Sequence, residues 1–202
     1  YYKVLNDYND ITFKPKIYSN EAILVQSEYR HVTKNSKNIL DASLLKKQSF
    51  NFSNNDTTSH FFINSYIDMD LPVFEESNLE VNLQNVSNDT YLKTYKMQSP
   101  LIDSSSSLNS YVSLYGYNEK LTVDLSIDVY EDLSKKKDSD KYTYVYPSFD
   151  IEKELENDFG FQGNFILSTE GYQKKYNTNS YDGVLINDLL YKNSYFDKKG
   201  IK

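Results

Sequence analysis

The decapeptide at residues 121–130, LTVDLSIDVY, restricts the possible folds more than any other stretch of the chain. Its odd-numbered positions are all apolar, whereas its even-numbered positions carry Thr, Asp, Ser, Asp and Tyr. Because side chains alternate between the two faces of a β-strand, this pattern predicts a strand with one apolar and one polar face. The polar face must meet water, and the apolar face requires either a protein core or lipid. Which of the two covers the apolar face decides what the protein does.

The same alternation recurs along the chain and predicts about ten strands connected as an antiparallel meander. The predicted strands lie at residues 10–19, 22–32, 37–47, 60–70, 79–84, 107–117, 119–133, 142–155, 159–175 and 180–196. The segments 107–117 and 119–133 form the clearest predicted hairpin. Short connections alternate with longer polar ones such as NFSNNDTTS and KKKDSDK, as expected of an outer-membrane barrel. The predicted fold class is therefore all-β, a partial segment of a large outer-membrane β-barrel.

Composition excludes several other classes of protein. The chain contains no cysteine, which excludes a disulfide framework, a thiolate metal site and a cysteine nucleophile within it. The net charge of -7 argues against nucleic-acid binding. No apolar run approaches the roughly 20 residues of a membrane-spanning helix, so any membrane role must use strands. The start without Met or signal peptide, and the end without a closing element, predict an internal fragment.

No catalytic constellation stands out in the sequence. The two histidines, His31 and His60, lie on different predicted strands. Any two carboxylates among the 29 acidic residues would make an acid–base pair on paper, so such a pairing has no specificity. There is no glycine-rich phosphate loop, no serine elbow and no metal-ligand spacing. We therefore expect neither enzymatic activity nor a cofactor nor a bound metal.

Pro15 and the polar residues of the predicted strands each admit two interpretations. A proline inside a strand removes a hydrogen-bond donor, which fits an edge strand of a soluble sheet or a strand pair that is weak by design. The polar residues fit the water-facing side of a soluble sheet or the polar interior of a wide barrel. The candidates for an interior-facing position are Glu28, Arg30, Asp68, Asp124, Asp128 and Asp150.

The first third of the chain carries paired aromatics, an Asp-x-Thr-x-x-Pro strand and a strand with Glu-aromatic-Arg, formed by Tyr1, Tyr2, Asp10, Thr12, Pro15, Glu28, Tyr29 and Arg30. In these features the chain resembles the LptD (OstA/Imp) family of lipopolysaccharide-assembly outer-membrane proteins. The segment VSNDTYLKTY at 86–95 and the hairpin at 111–133 with the following YPSFD strand are also similar. The resemblance covers essentially the whole chain, but its most specific motifs lie in the first third.

The resemblance implies a fold, a location and a set of partners. Residues 1–202 would be the N-terminal part of a transmembrane barrel in the outer membrane of a Gram-negative bacterium, without the family's periplasmic domain and remaining strands. The barrel would pass lipopolysaccharide into the outer leaflet through a seam between its first and last strands, and the candidate residues of the seam are Pro15, Asp10 and Thr12. Its expected partners are lipopolysaccharide, a lipoprotein plug similar to LptE, a periplasmic bridge protein similar to LptA, and membrane lipid.

Two alternatives remain open at this point. Another outer-membrane barrel, a porin or a receptor, would share the alternation but should lack the Asp-x-Thr-x-x-Pro opening. A surface-displayed β-sandwich that binds a partner would need the apolar faces of two sheets to pack on each other. The absence of Trp counts mildly against a membrane interface, although the 20 Tyr residues can fill that role.

Overall fold

A computed structural model describes residues 1–18, 22–47, 57–155 and 163–193 of the chain. These residues form one antiparallel sheet of eleven strands, in which each strand pairs with the next along the chain. The strands are β1 (Tyr2–Asn6), β2 (Asn9–Tyr18), β3 (Ala22–Val32), β4 (Ser36–Lys47), β5 (Thr57–Asp68), β6 (Glu76–Val86), β7 (Ser107–Asn118), β8 (Leu121–Asp132), β9 (Tyr142–Leu155), β10 (Asn164–Tyr176) and β11 (Tyr181–Lys192). The predicted all-β meander is confirmed; across the described ranges the sheet is not closed into a barrel.

The alternation of side chains makes the two faces of the sheet chemically different. On one face, Leu125 of β8 lies between Leu114 of β7 and Phe149 of β9. On the other, Asp124 lies between Tyr115 and Asp150. We call these the apolar face and the polar face.

The apolar face is largely open. Ile127 of β8 is 56% exposed and Leu185 of β11 is 65% exposed. Strands contact their sheet neighbours, and no second layer formed by the described residues packs on this face. Within the described ranges, the side chains of the apolar face therefore have no protein core that covers them.

The polar face is covered in one region by the connection between β6 and β7, residues 87–106, which we call the insert. The insert contains the one short helix of the described residues, α1 (Tyr91–Thr94). Its side chains join the main hydrophobic cluster, formed by Leu24, Leu45, Phe62, Tyr91, Leu92, Met97, Leu108 and Leu133. In the part of the chain that the structure describes, no helix is long and apolar enough to cross a membrane.

Two details of the sheet differ from the prediction. Strand β1 was not expected, because YKVLN is short and the adjacent Val4 and Leu5 break its alternation. Unbroken alternation over the predicted strand at 142–155 places Val145 on the same face as Phe149, but Val145 pairs with Asp128 on the polar face. The cause is a bulge, since the register between β8 and β9 shifts between Ser126 and Asp128 and turns the side chains beyond it to the other face.

The predicted strand ends at 19, 159–162 and 194–196 lie outside the described residues, as does most of the polar connection at 51–59. The last part of that connection belongs to β5, which begins at Thr57. The remaining predicted strands, including the hairpin of β7 and β8, agree with the structure to within a few residues.

Candidate functional site

The insert lies on the polar face of β3, β4 and β5 because those strands present an apolar patch there. Leu24, Leu45 and Phe62 are each 0% exposed, and they cluster with Tyr91 and Leu92 of the insert. Burying a side chain of this size contributes about 1.5–3 kcal/mol, so this patch alone holds the insert firmly. The polar face of the sheet is thus interrupted by a dry contact with a distant part of the chain.

Next to this patch lies a buried network of hydrogen bonds. Gln26 Nε2 donates to Asp41 Oδ2 at 2.9 Å and to the carbonyl oxygen of Gln98 in the insert at 2.9 Å. His60 Nε2 lies 3.2 Å from Asp41 Oδ1. Because the Asp41 carboxylate only accepts hydrogen bonds, His60 donates to it through Nε2. The side chains of Asp41 and His60 are both fully buried, so their hydrogen bonds are made inside the protein rather than with water.

The network continues from His60 to the helix of the insert. Ser43 Oγ lies 2.6 Å from His60 Nδ1 and 2.6 Å from the Tyr91 hydroxyl. With Nε2 protonated, Nδ1 accepts from Ser43, and Ser43 accepts from Tyr91. Burial raises the pKa of the Tyr91 hydroxyl above its ordinary value, which keeps it a donor at neutral pH. Three strands, β3, β4 and β5, are therefore joined to the insert by one continuous chain of hydrogen bonds.

Ser43, His60 and Asp41 are connected in the order of a Ser–His–Asp triad. A nucleophilic serine must reach a substrate, however, whereas here the Tyr91 hydroxyl lies on Ser43 and the insert covers the group. The three side chains work as a docking site for the insert. In the sequence His60 is an isolated residue, because its partners come from β4 and the insert.

A second attachment holds the beginning of the insert. Lys141, which is buried just before β9, lies 2.7 Å from Asp89 Oδ1 in the insert and 3.0 Å from Glu131 Oε1 in β8. Burial alone would lower the pKa of Lys141, but its hydrogen bonds to these two carboxylates raise the pKa to about 12. The ammonium group therefore stays charged and ties the insert to the end of the β8–β9 hairpin.

The structure brings the first group of predicted site residues together on the polar face of β2 and β3. Arg30 Nε lies 2.9 Å from Asp10 Oδ1 and 3.6 Å from Glu28 Oε1, and Lys14 Nζ lies 3.2 Å from Glu28 Oε2. We call these four residues the charge ladder. Thr12 lies directly opposite Glu28. Of the two polar seam candidates of β2, Asp10 therefore belongs to the charge ladder and Thr12 faces it.

The missing N–H of Pro15 points to the β1 side of β2. Phe13 donates its backbone N–H to the Tyr1 carbonyl oxygen at 2.7 Å, which is the β1 side. Since backbone N–H groups two residues apart in a strand point the same way, the nitrogen of Pro15 also faces that side. The proline leaves the pairing of β2 with β3 intact, and its opposite residue on β3 is Val25.

The remaining predicted site residues share the polar face but form separate groups. Asp124 and Asp150 are direct neighbours across β8 and β9, and Asp128 accepts a hydrogen bond from Ser126 at 2.7 Å. Asp68 lies at the far end of β5, opposite Asn78. Among the described residues no group of three or more His, Asp or Glu side chains is arranged to hold a metal ion.

No protein-family model matches the chain, and no curated protein matches it with significance.

Proposed function

We propose that this sheet is part of the wall of an outer-membrane β-barrel, with the apolar face toward lipid and the polar face toward the interior. The observation that carries the proposal is the open apolar face. Eleven strands at a spacing of about 4.8 Å make a sheet about 48 Å wide, and a lipid-facing band is about 25 Å tall. The resulting surface of about 1,200 Å² is at least twice the largest apolar patch of a typical soluble monomer, about 300–600 Å².

The lengths of the strands support the same proposal. Strand β8 has 12 residues, which corresponds to about 40 Å at roughly 3.3 Å per residue. Tilted by about 35–45°, as in outer-membrane barrels, it spans about 28–33 Å along the membrane normal. This matches the hydrocarbon thickness of about 30 Å. A β-sandwich would instead require a second sheet on the apolar face.

We further propose that the barrel transports lipopolysaccharide to the outer leaflet of a Gram-negative outer membrane, rather than acting as a porin or a receptor. The support is the Asp-x-Thr-x-x-Pro strand, whose Pro15 has its missing donor on the β1 side of β2. A lipid can leave a barrel sideways only if neighbouring strands part. A strand pair that lacks a hydrogen bond parts at lower cost. The proposed partners are lipopolysaccharide, an LptE-like lipoprotein plug and an LptA-like periplasmic bridge protein.

The substitution Pro15→Ala tests the transport function. It supplies one backbone N–H on the β1 side of β2. Because Tyr1 pairs with Phe13, the proposal places the acceptor of this N–H on the adjoining strand of the full-length barrel, where one hydrogen bond contributes about 0.5–1.5 kcal/mol. The open population should fall by about 2- to 12-fold, and pulse-labelled lipopolysaccharide should appear on the cell surface correspondingly more slowly. Pro72→Ala, in the turn between β5 and β6, is the matched control and should leave the rate unchanged. An undiminished rate of surface display in Pro15→Ala would contradict the proposal.

A further inference from the structure

A groove runs along β9 on the polar face, between β8 and β10. Its floor is formed by three short side chains of β9, those of Thr143, Val145 and Ser148. Its walls are the side chains directly opposite these three, Ser126, Asp128 and Tyr130 of β8 and Tyr172, Lys174 and Tyr176 of β10. The groove has a volume of about 570 Å³, which lies within the range of about 300–1,000 Å³ that is typical of small-molecule sites.

The bulge in β9 creates this groove. If β9 alternated without interruption, the positions two and four residues before Ser148 would place Tyr146 and Tyr144 on the polar face, and their rings would fill the space between the walls. Because the register shifts, Val145 lies on the polar face instead. Tyr144 lies on the apolar face, where its ring stacks on that of Tyr142 with centroids 6.3 Å apart. The bulge thus re-aims side chains beside a cavity, as bulges commonly do next to functional sites.

The walls combine aromatic rings with hydrogen-bonding groups. Tyr172 and Tyr176 are half-buried and Tyr130 is 44% exposed, so a ligand in the groove would contact all three rings. Ser126 Oγ donates to Asp128 Oδ2 at 2.7 Å and holds this carboxylate in place. Because a carboxylate offers about four lone-pair sites, Asp128 can accept further hydrogen bonds from a ligand.

The charges in the lining of the groove balance. Lys174 Nζ lies 4.4 Å from the centre of the Tyr172 ring and forms no ion pair within the described residues. Lys174 and Asp128 are the one positive and the one negative group of the lining. The next row of the polar face carries three carboxylates, those of Asp124, Asp150 and Glu170. This row repels an anion, and a cation would meet the Lys174 ammonium, so the lining favours a neutral ligand.

The two walls are tied together at one end of the groove. Asn177, which follows β10, donates through Nδ2 to the carbonyl oxygen of Lys137 in the β8–β9 connection at 2.8 Å. The backbone N–H of Thr178 donates to Asp140 Oδ1 at 3.2 Å. The walls are therefore held apart at a fixed distance before a ligand arrives, which lowers the cost of ordering them on binding.

We infer that this groove binds a neutral oligosaccharide. A sugar ring presents C–H groups that pack on aromatic rings, and its hydroxyls both donate and accept hydrogen bonds. The groove supplies both kinds of contact. From Ser126 to Tyr130 it is about 13 Å long at roughly 3.3 Å per residue, which suits a short chain of sugar units better than a single ring. The inference goes beyond the proposed function and does not rest on it, because it depends only on the lining of the groove.

A glycan array tests the inference. The full-length protein is purified in an amine-oxide detergent, because the sugar headgroup of a maltoside would compete for the groove. The array carries neutral, acidic and amine-bearing oligosaccharides, and we expect the protein to bind neutral ones. The affinity for a bound neutral oligosaccharide, measured by calorimetry, should be the same at low and high salt, because salt screens only interactions between charges.

Substitution of tyrosines on the two faces of the sheet locates the site. Tyr172→Ala removes a ring from the wall and should weaken binding about tenfold or more, as expected when an aromatic contact residue is truncated. Tyr172→Phe keeps the ring and should still bind. Tyr144→Ala is the matched control, because it removes a ring from the apolar face of β9 and should leave the affinity unchanged. Heat-modifiable migration in gels checks that the variants are folded.

Three results would overturn the inference. The first is an array on which no neutral oligosaccharide is bound. The second is binding of acidic or amine-bearing oligosaccharides alone, which would show that charge selects the ligand. The third is equal weakening by Tyr172→Ala and Tyr144→Ala in folded protein, which would place the bound sugar outside the groove.

Discussion

Removing the Asp41 carboxylate should release the insert from the sheet. In Asp41→Ala, Gln26 loses its carboxylate acceptor and keeps the Gln98 carbonyl, while His60 Nε2 has no acceptor left. One N–H of the Gln26 amide and the Nε2–H of His60 then lack an acceptor. Each buried donor without a partner costs about 1–3 kcal/mol, so the two together cost roughly 2–6 kcal/mol. Asp41→Asn keeps one carbonyl oxygen at the same place and should cost less.

Trypsin cleavage of the folded protein measures the release. The insert offers two cleavage sites, after Lys93 and after Lys96, and proteolysis requires the insert to leave the sheet. When opening is fast, the cleavage rate follows the population of the open form. A loss of 2 kcal/mol, the lower limit, therefore raises the rate about 30-fold.

Asp150→Ala is the matched control, because Asp150 is an exposed carboxylate on the same face. It should leave cleavage of the insert at the wild-type rate, since exposed substitutions usually stay within about 0.5 kcal/mol. Heat-modifiable migration in gels would check that the sheet remains folded in all variants. Wild-type cleavage of the insert in a folded Asp41→Ala protein would refute the role of the network.

Two further substitutions test the packing elsewhere. Lys141→Met should lower the free energy of unfolding by about 2 kcal/mol, the equivalent of raising the pKa from 10.5 to about 12. Because folding raises the pKa of Lys141, this stabilisation is complete below pH 10.5 and is lost as the pH rises toward 12. The urea midpoints of wild type and Lys141→Met should therefore converge near pH 12. Gly171→Ala places a Cβ 2.8 Å from the Phe149 ring and 2.8 Å from the Val184 carbonyl oxygen, and overpacking of this kind costs about 1–3 kcal/mol. Gly183→Ala should be tolerated, because its Cβ would come no closer than 3.4 Å to the nearest atom, the Tyr172 carbonyl oxygen. Equal urea midpoints for the two glycine variants would contradict the packing argument.

Alternation predicted most of the sheet because it is a local property. Each side chain's face follows from the pleat, and short connections place consecutive strands next to each other. The prediction was wrong where the local rule is broken. The bulge in β9 moved Val145 to the polar face, and β1 was missed because Val4 and Leu5 are adjacent. Alternation also predicted that Glu28 and Arg30 share a face. Their pairing with Asp10 and Lys14 could not be predicted in this way, because it depends on the register between β2 and β3.

The docking of the insert could not be predicted in the same way, because it depends on contacts between distant parts of the chain. Gln26 and Gln98, which are hydrogen-bonded, lie 72 residues apart. The segment VSNDTYLKTY was recognised only as similar to a family motif, without a structural role. Its short helix has no side-chain cap, so local signals for a helix were weak. What holds it in place is the burial of Tyr91 and Leu92 against strands that precede it.

A signal for this docking is nevertheless present in the strands, at the positions where the alternation fails. Ile23–Leu24, Leu44–Leu45 and Phe61–Phe62 are apolar doublets on three consecutive strands, and in each the first residue lies on the apolar face and the second on the polar face. The first residues are 44%, 54% and 44% exposed, whereas the second are all 0% exposed. One doublet would be unremarkable, but register places Leu24 beside Leu45, with Phe62 on the next strand. An apolar patch on a face that otherwise meets water must be covered, and the insert, which brings Tyr91 and Leu92 to it, supplies the cover. Departures from alternation that recur on adjacent strands therefore indicate where a connection folds back onto the sheet.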